Sequence, residues 1–242
     1  ATLYRQGRMH PEVSSFANRH FYNGQLCPVP LPHQTSTLPY NTYDKASALQ
    51  ALIATHRTAF INCPVPKQEE RFKTNSHEAQ LCAMVVKNII ELYRTNGIPY
   101  DAHQTIGIIS PFRGQGALIR NELSLLDMEE YTQHISIDTV ERYQGSQRDI
   151  IIYCTTITSP SQMELIVEAI DPTSPIVNQP IDRKLNVALT RARMQLFVIG
   201  IPQVLDTDCN YRALINELPQ YLHPTAEYCN QSSNNVPKNS GR

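Results

Sequence analysis

The chain has 242 residues, of which 41% are hydrophobic and 18% are charged, and its formal net charge is −1. This length and composition suit a single globular α/β domain with a sizeable core. A net charge near zero excludes an unspecific basic binder of nucleic acid, so any binding of that kind must rest on a local patch.

Cysteine and histidine spacing excludes several kinds of site. The six cysteines lack CxxC spacing, and the eight histidines fall at no metal-ligand spacing. We therefore expect reduced thiols in a cytoplasmic protein, and no metal bound by protein side chains alone. No apolar run approaches the length that spans a bilayer, and no N-terminal secretion signal is present. We expect a soluble, untargeted chain with no membrane partner.

Predicted strands and helices alternate along the chain. Asn75 or Ser76 caps a helix whose apolar positions recur at helical spacing until Asn96 and Gly97. Pro111 is expected to open a second helix. The predicted strands are 57–63, 105–110, 135–137, 150–156 and 196–199, and a last helix is predicted at 206–222. This alternation predicts an α/β fold with a parallel sheet and helices on both faces.

Three regions are predicted to be irregular. Residues 25–55 are rich in proline and polar groups, which indicates an extended excursion rather than a second core. Segment 158–182 lacks clear periodicity, although 163–170 is compatible with a short helix. Residues 223–242 carry almost nothing apolar, so burial cannot offset the entropy of ordering them. We predict one domain over residues 1–222, followed by a flexible tail at 223–242.

The segment 185–193, LNVALTRAR, is the strongest chemical signal. As a helix, it places Arg191 roughly 110° and Arg193 roughly 90° from the centre of its apolar stripe, on opposite flanks. A guanidinium fork suits phosphate oxygens and can stabilise the charge that develops during phosphoryl transfer. The alternative is a solvated helix with basic residues near its end.

Two further segments favour the phosphate-binding interpretation over the solvated helix. Residues 135–152 read as two apolar strands joined by a polar turn that contains Gln144 and Gly145, and such turns usually carry function. The N-terminal run from Arg5 to Glu12 is followed by aromatic residues and Gly24.

Together these segments resemble the second RecA-like domain of superfamily 1 helicases, in the branch that includes the nonsense-mediated-decay helicase. The resemblance covers residues 1 to about 200. It rests on QxRMHPEVSxFxxxxFYxGxL near the N-terminus, IGIISPFRGQ at 106–115, TVERYQGSQRD at 139–149 and RKLNVALTRAR at 183–193. It implies a RecA-like parallel sheet in an ATP-dependent helicase or translocase that acts on single-stranded DNA or RNA.

The parts that hold ATP are missing from this sequence. It has no GxxxxGK[ST] loop and no Asp-Glu pair after an apolar strand. In the family these belong to the first RecA-like domain, which holds ATP and Mg²⁺. We therefore expect the chain to be part of a longer protein, to partner that first domain, and to be inactive as an ATPase alone.

The resemblance assigns nucleotide-site roles by position. Arg8 and Arg191 would act catalytically by reaching the γ-phosphate of ATP. Gln144 and Gly145 would bring backbone close to the nucleotide, and Gln147 stands where the family has an acidic group for the ribose hydroxyl. A glutamine there still forms hydrogen bonds, but without charge assistance.

Nucleic-acid contacts are implied at a second set of positions. Ser110, Pro111 and Arg113 lie where a strand gives way to a helix, a natural site for a phosphate. Thr139 matches a hydroxyl that contacts the nucleic-acid phosphate in the family, and Asn186 would play a supporting role. Thr139 capping the turn, and Asn186 as a polar residue of the exposed face, are the alternatives.

Some choices stay open at this stage. Arg8 has an alternative as the ion-pair partner of Glu12, one helical turn away. Gly7 replaces the aromatic residue that in the family stacks on the nucleotide base, so we expect weak or relaxed nucleotide binding. The alternative to an ATP-dependent motor is a RecA-like binding or regulatory module without catalytic activity. A metabolic α/β enzyme is disfavoured, since no nucleophile-base pair or cofactor fingerprint is visible.

Overall fold

The computed structural model describes residues 4–41, 46–66, 73–143, 145–168 and 182–222. Its strands are β1 (Arg5–Gln6), β2 (Cys27–Pro28), β3 (Thr58–Asn62), β4 (Ile106–Ile109), β5 (Ser136–Asp138), β6 (Arg148–Cys154), β7 (Ala192–Gly200) and β8 (Gln220–Leu222). Its helices are α1 (Pro11–Phe21), α2 (Pro32–Thr35), α3 (Ala48–Thr55), α4 (Ser76–Thr95), α5 (Arg113–Ser124), α6 (Glu129–Thr132), α7 (Arg183–Leu189), α8 (Pro202–Leu205) and α9 (Cys209–Glu217), with a 3-10 helix at Pro160–Leu165. Gln144 and the predicted tail at 223–242 lie outside the described residues.

Six strands form the central sheet in the order β5-β4-β6-β7-β3-β8, and neighbouring strands all pair in parallel. In the middle of the sheet, Ile152 of β6 is in register with Ile108 of β4 and with Phe197 of β7. Residues 150–154 are all buried, as expected for a parallel strand covered on both faces. The predicted parallel sheet is confirmed.

The order of the strands places helices on both faces of the sheet. The connections from β3 to β4 and from β4 to β5 step one way across it, whereas those from β6 to β7 and from β7 to β8 step the other way. Since such crossovers are right-handed, α4 and α5 cover one face, and α7 and α9 cover the opposite face. Helix α3 packs on α4, and α1 packs on α7 and α9. The predicted two-sided covering is therefore also confirmed.

Helix α4 begins and ends where its sequence predicts. The Asn75 side chain accepts a hydrogen bond from the amide of Glu78, and Gly97, with φ of +64°, follows the helix. The apolar face is fully covered by the core, where burying one large aliphatic side chain contributes about 1.5–3 kcal/mol. Its members include Leu81, Val85, Val86, Ile89, Ile90 and Leu92.

The single helix predicted through Arg193 is wrong. Helix α7 ends at Leu189 and is capped by Thr190, so Arg191 lies in the following turn and Arg193 lies in β7. The reason is tertiary: from Ala192 onward the chain pairs with β6, and that pairing overrides the helical spacing of the apolar residues. The predicted angles of the two arginines around a helix therefore do not apply.

Two other predicted boundaries are corrected. The helix predicted at 206–222 is shorter, because Asp208 caps α9 and Pro219 precedes the edge strand β8. The extended excursion predicted at 25–55 is interrupted by α2, and its last part, α3, buries Leu49 and Ile53 in the core. In the described part of the chain, no helix has the length and apolarity needed to cross a membrane. The five cysteines described there are free thiols.

Candidate functional site

Arg8 and Arg191 lie together at the edge of the sheet where β6 and β7 begin. The Arg8 Nε donates to Gln147 Oε1 at 3.2 Å, and its Nη1 donates to the carbonyl oxygen of Thr190 at 3.0 Å. These two bonds hold the guanidinium between the turn before β6 and the turn before β7. We call this edge the amino edge, and we call Arg8 and Arg191 the arginine pair.

The Arg191 side chain is fixed by its own turn. Its Nε donates to the carbonyl oxygen of Val187 at 2.9 Å, and its Nη2 donates to Thr190 Oγ1 at 3.3 Å. Burial lowers the pKa of Arg191, and the nearby positive charge of Arg8 lowers it further. Arginine nonetheless stays charged near neutral pH. The arginine pair is thus a concentration of positive charge.

Carboxylates do not neutralise the arginine pair among the described residues. The arginines that form ion pairs with carboxylates there are Arg19, Arg57, Arg142, Arg193 and Arg212. Glu12, the predicted alternative partner of Arg8, instead faces Arg57 Nε at 3.5 Å, so that alternative is wrong. Arg193 pairs with Asp149 at 2.8 Å. Two half-buried guanidinium groups without an acidic partner suit an anion that both can reach.

Asn186 lies with the arginine pair. Its Nδ2 is 3.1 Å from the hydroxyl of Tyr22, and Tyr22 in turn interacts electrostatically with Arg191. Its carbonyl oxygen accepts from the hydroxyl of Thr190 at 2.8 Å. Helix α7 thus places Asn186 on the side of Tyr22 and Arg191, and its supporting role toward nucleic acid stays a prediction.

Three residues of the turn before β6 are predicted to contact the nucleotide, and the structure describes two of them, Gly145 and Gln147. Gly145 has a φ of +87°, a conformation that favours glycine, and a Cβ placed there would lie more than 4 Å from the other described residues. The open space allows a ligand to approach this backbone. Gln147 is occupied in holding Arg8, a role that its sequence position does not reveal. Gln144 lies outside the described residues.

A depression of about 220 Å³ occupies the opposite edge of the sheet, where β4 and β5 end. We call it the carboxyl-edge depression. Arg113, Arg120, Thr139 and Arg142 line it together with Asp138. It therefore unites three residues that the sequence predicts for phosphate contact, Ser110, Arg113 and Thr139, with two arginines that the sequence does not predict.

The three arginines and the threonine of the carboxyl-edge depression differ in their partners. Arg120 Nη2 donates to the carbonyl oxygen of Ile137 at 3.3 Å, and Arg142 faces Asp138 at 3.6 Å. The Arg113 guanidinium and the Thr139 hydroxyl have no hydrogen-bond partner in the described part of the chain. The alternative of a Thr139 side chain that caps the turn therefore has no support. Arg113 and Arg120 are seven positions apart on α5, a spacing that puts them on one helix face.

Ser110 lines the depression, whereas Pro111 is not one of its lining residues. Ser110 is only 2% exposed, its hydroxyl lies 3.0 Å from that of Thr156, and its amide donates to Asp138. Ser110 nevertheless lines the depression, so its contact with a phosphate stays a prediction. Helix α5 begins at Arg113 and not at Pro111, since Phe112 is its N-cap.

A buried carboxylate organises the same edge. Glu78 is fully buried in the first turn of α4, where its Oε2 accepts from the amide of Thr156 at 2.7 Å and its Oε1 from the hydroxyl of Thr155 at 3.1 Å. Thr156 has a φ of +73°, which is strained for a β-branched residue. Glu78 thus holds the strained residue that touches Ser110. The only signal in the sequence is a charge on the apolar face of a helix.

Segment 139–147 connects the two edges. It leaves β5 at the carboxyl edge and enters β6 at the amino edge, since the two strands are parallel to β4 between them. Midway, the buried Tyr143 hydrogen-bonds with Ser136 through its hydroxyl. It crosses β4 at Gly107, where an added Cβ would lie 2.2 Å from the Tyr143 hydroxyl. Only a glycine allows this close passage.

A parallel sheet covered on both faces, with an arginine pair at one edge and a basic depression at the other, defines a RecA-like α/β domain. The AAA domain family matches residues 1–203, and the chain belongs to that family.

The chain is also similar in sequence to several characterised proteins. The chain is 30% identical over 217 residues to Regulator of nonsense transcripts 1 of Dictyostelium discoideum, covering 87% of this chain and 14% of the relative. It is 27% identical over 213 residues to Helicase SEN1 of Saccharomyces cerevisiae, covering 88% and 9%. It is 27% identical over 247 residues to the DNA polymerase alpha-associated DNA helicase A of the same yeast, covering 94% and 30%.

These matches confirm the predicted family. The chain is a superfamily 1 helicase domain, similar to that of the nonsense-transcript regulators. It spans between 9% and 30% of the length of the three relatives described.

Proposed function

We propose that the chain is the second, carboxyl-terminal motor domain of an ATP-dependent superfamily 1 helicase or translocase. Its partner in this proposal is the first RecA-like domain of the same protein, which holds most of the ATP and Mg²⁺. We call the polypeptide that carries both domains the full-length protein. The observation that carries the proposal is the arginine pair, two anchored guanidinium groups without a carboxylate partner in the described residues.

The arginine pair suits the chemistry of phosphoryl transfer. Negative charge spreads over the γ-phosphoryl oxygens in the transition state, and ATP with its Mg²⁺ supplies that group from the facing domain. Arg191 is held by Val187 and Thr190 before any ligand arrives, so little reorganisation is needed when the charge develops. Arg8 lies beside it and adds a second planar fork.

The turn before β6 suits the rest of the nucleotide. The open left-handed backbone at Gly145 gives a ligand room, and the Nε2 group of Gln147 can donate to a ribose hydroxyl while its Oε1 accepts from Arg8. Gly7 carries no aromatic ring, and among the described residues only the Leu31 side chain would lie within 4 Å of a Cβ placed there. We expect selectivity for the base of the nucleotide to be low.

The carboxyl-edge depression binds the phosphates of a single DNA or RNA strand in this proposal. Arg113, Arg120 and Arg142 supply the charge, and Thr139 supplies a hydroxyl. Contacts of this kind position the strand and carry no sequence information. Opening and closing of the cleft between the two domains would then move the strand by its phosphates.

A phosphate-release assay tests the proposal. The full-length protein should hydrolyse ATP faster when a single strand is added, whereas the isolated domain should release no phosphate with or without that strand. Turnover by the isolated domain that Arg191→Ala abolishes would contradict the proposal, because a complete site would then exist within these residues. Failure of the full-length protein to hydrolyse ATP would favour a binding or regulatory module.

A further inference from the structure

The excursion after α1 returns to the loop that carries Arg8. Strand β2 pairs with β1 through Arg5 and Cys27, and the chain then turns into α2. Within α2, Gln34 is only 3% exposed although it belongs to a four-residue helix on the surface. Both hydrogen bonds donated by its Nε2 reach the Arg8 loop, residues 6–9: one to the carbonyl oxygen of Gln6 at 3.0 Å and one to that of Met9 at 2.8 Å.

Further hydrogen bonds hold the Arg8 loop in place. His33 Nε2 lies 2.9 Å from the carbonyl oxygen of Arg8. Inside the loop, the Gln6 side chain accepts from the amides of Arg8 at 3.1 Å and of Met9 at 2.8 Å. The carbonyl oxygens of Gln6 and Met9 each accept one further hydrogen bond, from the Val29 amide at 3.0 Å and from Gln6 Nε2 at 2.9 Å. Gln34 is the side chain that joins these two carbonyl groups to each other and to α2.

The excursion is itself fixed to the sheet. The carbonyl oxygen of Ser36 accepts from Arg57 Nη2, and the Arg57 side chain is buried at the start of β3. Further along, the Tyr40 hydroxyl donates to Gln195 Oε1 of β7 at 2.8 Å. An anchored element with two donors aimed at one loop can set the direction of a side chain that leaves that loop.

We propose that Gln34 is a positioning residue of the nucleotide site: it fixes the backbone on both sides of Arg8 so that the guanidinium reaches Thr190 beside Arg191. This inference rests on the proposed function, since it takes Arg8 to act on the transferred phosphate. It gives the excursion a part in hydrolysis that neither its composition nor the AAA domain match assigns. A loop released by loss of Gln34 would let the guanidinium move by about 1 Å, a displacement that can cost up to ~10²-fold in rate.

The test uses the full-length protein with Gln34→Leu, which keeps a similar volume and removes both donors. We expect kcat to fall ~10-fold while the KM for ATP changes by less than ~2-fold, because the lost orientation matters mainly in the transition state. Gln25→Leu, on an exposed position of the same excursion, is the matched control and should leave both constants unchanged. If Gln34→Leu unfolds below the assay temperature, Gln34→Met is measured in the same way.

A double-mutant cycle separates positioning from general damage. In an Arg8→Ala background, Gln34→Leu should lower kcat no further, because its effect passes through Arg8. The inference would be overturned if Gln34→Leu lowered kcat as much in the Arg8→Ala background as in the parent protein. It would also be overturned if Gln34→Leu alone kept a normal kcat while Arg8→Ala was slow. Either result would leave the proposed function standing. A normal kcat in Arg8→Ala would instead contradict the proposed function.

Discussion

The two edges of the sheet are built in different ways. At the amino edge, Arg8 is joined to Gln147 and Thr190, residues far apart in the chain, by single side-chain hydrogen bonds. At the carboxyl edge, the depression is lined by neighbouring elements, β5, α5 and the loops that follow β4 and β5. Open α/β sheets usually bind ligands at the carboxyl ends of their strands. The amino edge departs from this rule, and one sheet can thereby offer two charged sites that do not compete for space.

The difference also separates two kinds of chemistry. Guanidinium groups that are anchored before a ligand arrives suit a reaction, since they meet the developing charge without rearrangement. The exposed Arg113 and Arg142 suit binding, since positive charges at the surface can contact the phosphates of a strand of any sequence. Loss of the first should affect rate, and loss of the second should affect affinity.

The largest expected effect concerns the amino edge. In the full-length protein, Arg191→Ala should lower kcat by at least ~10²-fold, because the guanidinium acts mainly on the transition state. Arg191→Lys should recover little, since an ammonium lacks the planar fork. Steady-state phosphate release measures both variants. Arg183→Ala, at an exposed position of α7, is the control and should behave as the parent protein does. If Arg191→Ala kept a normal kcat and an unchanged melting temperature, the amino edge would not have the part in hydrolysis that separates it from the carboxyl edge.

The next effect concerns the segment that joins the edges. Gly107→Ala would place a Cβ 2.2 Å from the Tyr143 hydroxyl and 2.7 Å from Arg148 Cγ, so the passage of segment 139–147 over β4 must shift. We expect the free energy of unfolding to fall by about 1–3 kcal/mol, as for other overpacked sites. Chemical denaturation of the isolated domain measures it. Gly116→Ala is the control, because its Cβ would meet Ile137 at an ordinary contact distance of 3.4 Å. An equal fall in the free energy of unfolding in both variants would argue against a tight passage at Gly107.

A smaller effect concerns the carboxyl edge. Arg113→Ala should weaken binding of single strands by a similar factor for poly-dT, poly-dA and mixed sequences, because a phosphate contact is lost. The slope of log affinity against log salt should become shallower by about 0.7, the value for one ion contact to a single strand. Fluorescence anisotropy of the full-length protein over a salt series gives both quantities. A marked preference for one sequence, or an unchanged slope, would remove Arg113 from the depression's binding role.

The smallest effect is a pH dependence that arises from His10, near the amino edge. Burial, and next the charge of Arg57, lower the pKa of His10 below its ordinary 6.5. His10 is the N-cap of α1, and its Nδ1 accepts from the amide of Glu12 at 3.3 Å, which only a neutral ring can do. Because the folded pKa is the lower one, the stability from neutral His10 is present above pH 6.5 and lost as pH falls through the folded pKa.

His10→Asn keeps an acceptor that does not titrate in this range. The unfolding free energy of the parent domain, measured by denaturation between pH 7.5 and 5, is expected to decrease more steeply than that of this variant. Parallel curves for the two proteins would show that His10 contributes nothing to the acid sensitivity of the amino edge.

Much of the fold follows from the sequence, since its signals are local and strong. The apolar spacing of α4, its cap at Asn75 and the continuous apolar run of β6 lead directly to two covered faces around a parallel sheet. The end of α7 does not follow, because the pairing of Ala192 with β6 depends on a strand more than forty residues earlier. Boundaries that tertiary pairing decides are invisible to helical periodicity.

The candidate sites follow only in part. Arg8, Arg191, Arg113 and Thr139 are predicted by motif resemblance, and the structure groups them into the two edges. Glu78 could not be predicted in the same way, since its partners come from a distant strand and it resembles any charged residue in a first helical turn.

The most direct test of the two-edge account measures both activities in both variants of the full-length protein. Arg191→Ala should lose hydrolysis and keep its Kd for a single strand within ~2-fold, whereas Arg113→Ala should bind the strand more weakly and keep its kcat at saturating strand. Phosphate release and fluorescence anisotropy on the same preparations supply the four values. Loss of hydrolysis and of strand binding to the same extent in both variants would contradict the separation of the two edges.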